Sequence, residues 1–128
     1  MPRLYPTIFF TTLLAICTLS CESGLNESDL HGKWQAAIIL EEGDSLAVDP
    51  SNIKFQFDEN KYYQFESTLN YKEAGTYYLD DVYLYTTDTF NNASSEKVVE
   101  VLLLNEDSLH ILMNEQTKER VLKLVKTN

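Results

Sequence analysis

The feature that most constrains this chain is a strict alternation of apolar and polar side chains in the segment IKFQF (53–57). Ile53, Phe55 and Phe57 alternate with lysine and glutamine, so the apolar side chains share one face of an extended strand. The polar run DENK (58–61) follows at once and is typical of a tight hairpin connection. The segment therefore predicts antiparallel β-structure with one face turned towards a core.

Similar short segments recur along the chain, and turn signals separate them. No apolar repeat of helical period and useful length appears after residue 32. We predict eight strands: Trp34–Leu40, Ile53–Phe57, Tyr62–Leu69, Ala74–Leu79, Val82–Thr87, Val98–Leu104, Leu109–Met113 and Arg120–Val125. An even-numbered meander can close on itself, which removes the unpaired edges that promote aggregation. The sequence thus predicts an all-β fold, a small eight-stranded up-and-down antiparallel barrel, in preference to an open sandwich.

The alternation also predicts which side chains face the interior. The inward set is Trp34, Phe55, Phe57, Tyr63, Phe65, Tyr77, Leu79, Val99, Val101, Leu103, Leu109, Ile111, Met113, Leu122 and Leu124. This set can form a filled core, or it can line a pocket for an apolar ligand with polar contacts from Tyr63 or Tyr77. The segment Val98–Leu104 is apolar on both faces, which predicts a central or covered strand.

The first twenty residues have the composition of an export signal. Arg3 is their one charged residue, an apolar run follows over residues 8–16, and the small residue Ser20 precedes Cys21. The apolar run is too short to span a bilayer, which needs about 20 apolar residues in a helix. Residues 1–20 are therefore predicted to be a signal peptide.

The segment that ends at Cys21, TLSC, resembles a bacterial lipobox, in which a small residue precedes the cysteine that receives the lipid. Thr18 stands where the lipobox usually has leucine. Cys17 is the competing candidate because Leu14 lies three positions before it, but the bulky Ile16 would hinder the peptidase. An ordinary cleaved signal with an incidental cysteine is the third alternative.

We take Cys21 as the predicted lipidation site, and the remaining boundaries follow from it. Residues 21–29 would be the lipidated cysteine and a tether, and residues 30–128 the barrel. The mature chain would contain no second cysteine, which leaves neither a disulfide nor a cysteine metal site. We expect a lipid-anchored protein of the cell envelope, in the outer membrane.

The charge of the chain limits its partners. Loss of Arg3 with the signal would change the formal net charge from −10 to −11. An acidic protein of this kind does not bind nucleic acid or an anionic membrane through a basic patch. Its acidic residues are scattered, as on a solvated surface.

An ordered set of short motifs resembles the lipocalins, and more closely the lipocalin-like domains of bacterial lipoproteins, notably of Bacteroidetes. The set begins with Leu30-x-Gly32-x-Trp34 and Phe55-x-Phe57, and continues through Gly75-Thr76-Tyr77. It ends with LNEDSLHI (104–111) and LKLVK (122–126).

The resemblance implies a role for Trp34, since the lipocalin tryptophan plugs the closed end of the barrel beneath a late basic residue. Arg120 and Lys126 are the candidates for that cation. The chain is shorter than the larger lipocalins and lacks their long C-terminal helix. A barrel this small can be filled by its own aromatic side chains.

Four tyrosines fall on the outward phase of three successive strands: Tyr62, Tyr78, Tyr83 and Tyr85. Cross-strand pairing would bring several of them together on the outer wall. They would form either ordinary aromatic pairs or a docking patch for a partner or a glycan.

Residues suited to catalysis are few. His31 lies in the entry turn, and His110 lies on the outward phase of its strand. Neither has a nearby cysteine or a second histidine with which to share a metal. The acidic pairs Glu41-Glu42 and Asp80-Asp81 are typical of solvated turns. We expect no catalytic activity, no cofactor and no metal.

Two functions remain. The first is a binding protein that holds a small hydrophobic ligand in the barrel mouth, with Trp34, Phe55, Phe57, Tyr63, Phe65 and Tyr77 as candidate contacts. The second is a protein-interaction or inhibitor module with a filled barrel, using its loops or the outer tyrosines. An interior cavity below roughly 100 Å³ would exclude the first function, given the size of typical pockets.

Overall fold

The computed structural model describes residues 25–91, 95–115 and 117–127. The signal peptide and Cys21 lie outside the described residues. One short helix, α1 (Glu27–Leu30), precedes nine strands: β1 (Gly32–Glu41), β2 (Asp44–Ser45), β3 (Lys54–Phe57), β4 (Tyr62–Glu66), β5 (Lys72–Asp80), β6 (Tyr83–Asp88), β7 (Glu96–Leu104), β8 (Ser108–Glu115) and β9 (Lys118–Thr127).

The strands form one antiparallel meander that closes on itself. The order is β1-β3-β4-β5-β6-β7-β8-β9, and β9 pairs with β1. That last ladder runs from Lys33 opposite Thr127 to Glu41 opposite Arg120. The eight-stranded barrel predicted from the alternation is confirmed. The additional strand β2 forms a two-residue hairpin with the end of β1.

Two segments differ from the predicted strand pattern. β4 ends at Glu66 instead of Leu69, because Thr68–Asn70 forms a 3-10 turn in which Asn70 has a φ of 58°. A second 3-10 turn, Pro50–Asn52, leads into β3, and the Asp49 carboxylate accepts a hydrogen bond from the Ser51 amide (3.0 Å). Polar capping side chains compete with strand pairing at such points.

A β-bulge in β7 reverses the predicted orientation of Leu103. The register shifts between Val101 and Leu103, so Leu103 points to solvent and Leu104 turns into the core. A bulge adds one residue to a strand and changes the face on which the following side chains lie. The inward assignment of Leu103 is therefore wrong.

The outer face of β7 is not covered within the described part of the chain. Val98 and Leu102 are each 50% exposed. Of the two alternatives expected for this strand, central or covered, the first is confirmed, because β7 pairs with both β6 and β8. Closure of the barrel gives each strand two neighbours but still leaves one face towards solvent.

The core fills the interior between the strands. Its buried members are Leu30, Trp34, Ala36, Phe57, Tyr63, Tyr77, Leu84, Val101, Leu104, Leu109, Ile111, Leu122 and Leu124. Most of the predicted inward residues are among them or pack against them. Leu30, Ala36, Leu84 and Leu104 were not predicted.

The α1 end of the barrel is closed by Trp34, which is 1% exposed. Its indole N–H donates to the Leu30 carbonyl (2.8 Å), and Lys126 Nζ lies 4.9 Å from the indole centroid. Lys126 also donates to the Asp29 carbonyl (3.0 Å). Lys126 is thus the cation that the lipocalin resemblance implied, whereas Arg120 lies at the other end of β9, beside Glu41.

The helix at this base extends into the segment predicted to be a tether. The Asn26 side chain caps it by accepting from the Ser28 amide (3.1 Å), and Glu27 forms an ion pair with Lys61. Leu25 packs against the core. Residues 25–29 therefore belong to the folded base, and any tether is confined to the preceding residues.

Candidate functional site

A cavity of about 460 Å³ opens at the end of the barrel opposite Trp34. Its position follows from the ladders, since Trp34 pairs with Lys126 at one end of β9 and Met113 pairs with Arg120 at the other. The apolar lining residues are Phe55, Phe65, Leu84, Val98, Val99, Ile111 and Met113. The polar lining residues are Tyr63, Glu73, Thr86, Lys97 and Asn114. We call this site the mouth cavity.

Three of the six candidate ligand contacts lie in the mouth cavity: Phe55, Tyr63 and Phe65. The other three are Trp34, Phe57 and Tyr77, which are fully buried nearer the base. Tyr77 packs edge-on against Phe57 (5.0 Å between centroids) and donates to the Asp58 carbonyl (2.5 Å). These three side chains are core residues, because they fill the barrel at its base.

Aromatic rings form one wall of the mouth cavity. Phe55 and Phe65 face each other across β3 and β4 with centroids 4.6 Å apart, and Phe65 meets Tyr71 at 6.2 Å. The wall is rigid because aromatic side chains have few rotatable bonds and contact one another. It offers a flat apolar surface to a bound molecule.

A buried carboxylate, Glu73, lies next to that wall, directly opposite Phe65 in the β4–β5 ladder, and is 6% exposed. Its Oε1 accepts from the Tyr63 hydroxyl (2.8 Å). Its Oε2 accepts from the Tyr71 hydroxyl (2.9 Å) and from Lys97 Nζ (2.8 Å). Three donors thus stabilise one charge that would be costly to bury alone.

These contacts shift the pKa values of the neighbours of Glu73. Burial, followed by the hydrogen bond to Glu73, raises the pKa of Tyr63 well above its usual value. The hydrogen bond from Lys97 to Glu73 outweighs the effect of burial and raises the pKa of the ammonium. Tyr63 therefore stays neutral and Lys97 stays charged at neutral pH.

A second buried carboxylate, Asp88, holds the turn beside the mouth cavity. Burial alone would raise its pKa, but hydrogen bonds from Asn91 and from the Phe90 amide outweigh burial and lower it. Asn91 also donates to the Lys72 carbonyl (2.9 Å). Asp88 is thus a charged structural residue that fixes the rim next to Glu73 and Lys97.

The sequence reasoning missed Glu73 and Lys97. Glu73 was assigned to a turn, although it continues the inward alternation of Gly75 and Tyr77. A carboxylate on the inward phase is the signal that could have identified the cluster. Lys97 lies at the start of β7, before the predicted strand began, and its pairing with Glu73 depends on the fold.

Two of the four outward tyrosines form a pair. Tyr78 and Tyr85 stack with centroids 4.6 Å apart and planes 6° from parallel. Tyr62 lies opposite Thr76, and Tyr83 lies opposite Asp80 and Glu100. All four are on the outer wall, but the tight contact is confined to Tyr78 and Tyr85.

Neither histidine lies in the mouth cavity. His110 is opposite Leu103 and Lys123 on the outer wall, and burial together with Lys123 lowers its pKa. In the described parts of the chain, no three histidine, cysteine or acidic residues are grouped as metal ligands. No helix among those residues has the length and hydropathy needed to cross a bilayer.

Solved structures with a similar fold include a protein described as lipocalin-like. The chain is similar to a lipocalin-like protein from Bacteroides uniformis ATCC 8492, with a TM-score of 0.57 and 18% identity, covering 77% of this chain and 99% of that one. It is also similar to an uncharacterized protein from Bacteroides eggerthii DSM 20697, with a TM-score of 0.52, 17% identity and the same coverage. No protein-family model and no curated protein matches the chain.

The closed eight-stranded barrel and these similarities define a lipocalin-like fold. The resemblance inferred from the GxW motif and the later segments is confirmed at the level of the fold. At sequence identities this low, the ligand of one protein does not identify the ligand of another.

Proposed function

We propose that this protein binds a small, mainly apolar molecule in the mouth cavity. The observation that carries the proposal is the cavity itself, because about 460 Å³ lies within the range of typical ligand pockets, about 300–1,000 Å³. It is lined by Leu84, Ile111 and Met113 and by the aromatic wall of Phe55 and Phe65. Burial of apolar ligand surface there would supply the driving force, about 25 cal/mol per Å².

The proposal includes no catalytic step. The buried carboxylate Glu73 already accepts hydrogen bonds from Tyr63, Tyr71 and Lys97. An acceptor engaged in this way suits a structural and ligand-positioning role better than proton transfer, which needs a group free to reach the substrate.

We further propose that a lipid on Cys21 anchors the protein to the cell envelope, in the outer membrane. Only three residues separate Cys21 from Leu25, which packs against the core, so the Cα of Cys21 would lie within about 14 Å of that of Leu25. Leu25 precedes α1 at the closed base. The mouth cavity would then open away from the anchoring membrane.

Cys21→Ala is expected to release the protein from membranes without unfolding it. The lipid would be the main membrane attachment, since an acidic barrel has little attraction to an anionic surface. The measurement is the distribution between membrane and soluble fractions of cells. Unfolding in urea, followed by the fluorescence of the single tryptophan, should match the parent chain.

Cys17→Ala is the matched control and should remain in the membrane fraction. A Cys21→Ala protein that stayed with the membrane would contradict the anchoring proposal, although it would leave the ligand-binding proposal untouched.

Val99→Trp should block the mouth cavity. The larger side chain would occupy space where Val99 now lines the cavity, and we expect the affinity for an uncharged apolar fluorophore such as phenylnaphthylamine to fall at least about tenfold. Fluorescence enhancement on titration measures the affinity. Val125→Trp is the matched control, because Val125 is exposed on the outer wall.

Equal affinities of Val99→Trp and Val125→Trp would contradict binding in the mouth cavity. If Val99→Trp does not fold, Val99→Phe replaces it in the same titration. Its smaller side chain should also lower the affinity for the fluorophore.

The second candidate function is a protein-interaction module that uses the outer wall. Its support is the stacked pair Tyr78 and Tyr85, beside the exposed Val98 opposite Tyr85. Aromatic side chains that are already ordered lose little entropy on docking. Failure of the parent chain to bind any apolar probe would favour this interaction function over ligand binding in the mouth cavity.

A further inference from the structure

A polar cluster at the mouth cavity consists of Glu73 and its three donors, Tyr63, Tyr71 and Lys97. This cluster offers a bound molecule a hydrogen-bond donor rather than an acceptor. Both oxygens of Glu73 are engaged, one by Tyr63 and the other by Tyr71 and Lys97. One of the three ammonium N–H groups of Lys97 bonds to Glu73, and the Lys97 side chain is 55% exposed. The remaining N–H groups can reach a hydrogen-bond acceptor in the cavity.

The charges around Lys97 disfavour an anionic ligand. Glu73 is in direct contact with Lys97, and Asp88 lies close enough to raise the pKa of Lys97 as well. Two carboxylates thus surround one ammonium, in a chain whose formal net charge is −10. A carboxylate head group would be attracted by Lys97 but repelled by both Glu73 and Asp88.

A cationic head group would be attracted by the two carboxylates and repelled by Lys97, but both carboxylates already have bonded partners. Its natural partner would be Glu73, but that carboxylate is already bonded to Lys97 at 2.8 Å. A second cation would have to displace the ammonium or sit next to it. Asp88 offers no alternative partner, because Asn91 and the Phe90 amide already bond to its carboxylate.

We propose that Lys97 and Glu73 make the mouth cavity selective for uncharged amphiphiles that carry a hydrogen-bond acceptor, such as fatty alcohols, esters or ketones. The apolar chain would lie against Phe55, Phe65 and Met113, and the oxygen would accept from Lys97. This inference rests on the proposed binding function and specifies its ligand class.

The test is displacement of phenylnaphthylamine from the parent chain at neutral pH by four ligands of equal chain length. Decanol and methyl decanoate should displace the probe at concentrations at least about tenfold lower than decanoate or decylammonium. Higher affinity for either charged ligand than for decanol would overturn the inference.

Lys97→Met keeps the apolar stem and removes the donor, so the affinity for decanol should fall about tenfold. Lys118→Met is the matched control, since Lys118 pairs with Glu41 on the surface of β1 and β9. An unchanged decanol affinity in Lys97→Met would overturn the role of Lys97.

Glu73→Gln tests the charge argument independently of Lys97. It removes one repulsive carboxylate while its amide oxygen can still accept from one of the two tyrosines, so decanoate should bind about tenfold more tightly than to the parent chain. No gain in decanoate affinity would overturn the charge argument. If the selectivity is wrong, the parent chain still binds the fluorophore. If the proposed binding function is wrong, the parent chain does not bind the fluorophore at all.

Discussion

Gly75→Ala is expected to destabilise the barrel by about 3 kcal/mol or more, at the upper end of overpacking costs. A Cβ on residue 75 would lie 1.8 Å from the Thr87 carbonyl oxygen and 3.0 Å from the Thr89 amide nitrogen. Both atoms belong to the backbone, so no side-chain rotation can relieve the clash. The β5–β6 ladder, in which Gly75 lies opposite Asp88, would have to move.

Urea unfolding, monitored by tryptophan fluorescence, measures the loss of stability in Gly75→Ala. Gly43→Ala is the matched control, because its φ of 85° disfavours alanine although no atom lies within 4 Å of the added carbon. We expect a cost of about 1 kcal/mol there, from the backbone alone. A loss at Gly75 no larger than at Gly43 would show that the strands do not approach each other as described.

Trp34→Ala is expected to cost about 3–5 kcal/mol, the range for loss of a buried large aromatic side chain. It would remove the plug of the closed base and the hydrogen bond that fixes Leu30 of α1. It would also leave Lys126 without the aromatic face it now covers. Far-UV circular dichroism in urea is the measurement, since the variant has no tryptophan.

Lys126→Met is the control that isolates the cation. It should cost only about 1 kcal/mol, because Trp34 stays in place and only the contact over the indole and the hydrogen bond to Asp29 are lost. A Trp34→Ala protein as stable as the parent chain would contradict a plugged base.

The barrel could be predicted because burial on one face imposes a two-residue period, and the turns between the strands are polar. Phe55 and Phe57 show this most clearly, since both have the predicted orientation. The orientation of Leu103 could not be predicted. In the segment VVEVLLL both faces carry apolar side chains, and the single charge, Glu100, precedes the bulge, so the sequence pattern does not reveal where the register moves.

The candidate site could be predicted only in part. Phe55, Tyr63 and Phe65 are inward residues of two adjacent strands, which places them together whatever the rest of the barrel does. Whether a barrel is hollow depends on how side-chain volumes fill it at each level, which residue types alone do not determine. The contact between Glu73 and Lys97 joins β5 to β7 over the intervening strand β6, so it cannot be read from the pairing of neighbouring strands.

The position of a bound ligand is the most direct test of the account. Met113 lines the mouth cavity, and Met1, the other methionine, would be lost with the signal peptide, so methyl-labelled methionine should give one signal, which Met113→Leu removes. Titration of the labelled parent chain with decanol should shift and finally saturate the Met113 signal, and Val99→Trp should weaken that response. A Met113 signal unmoved by any apolar ligand would contradict a ligand-binding mouth.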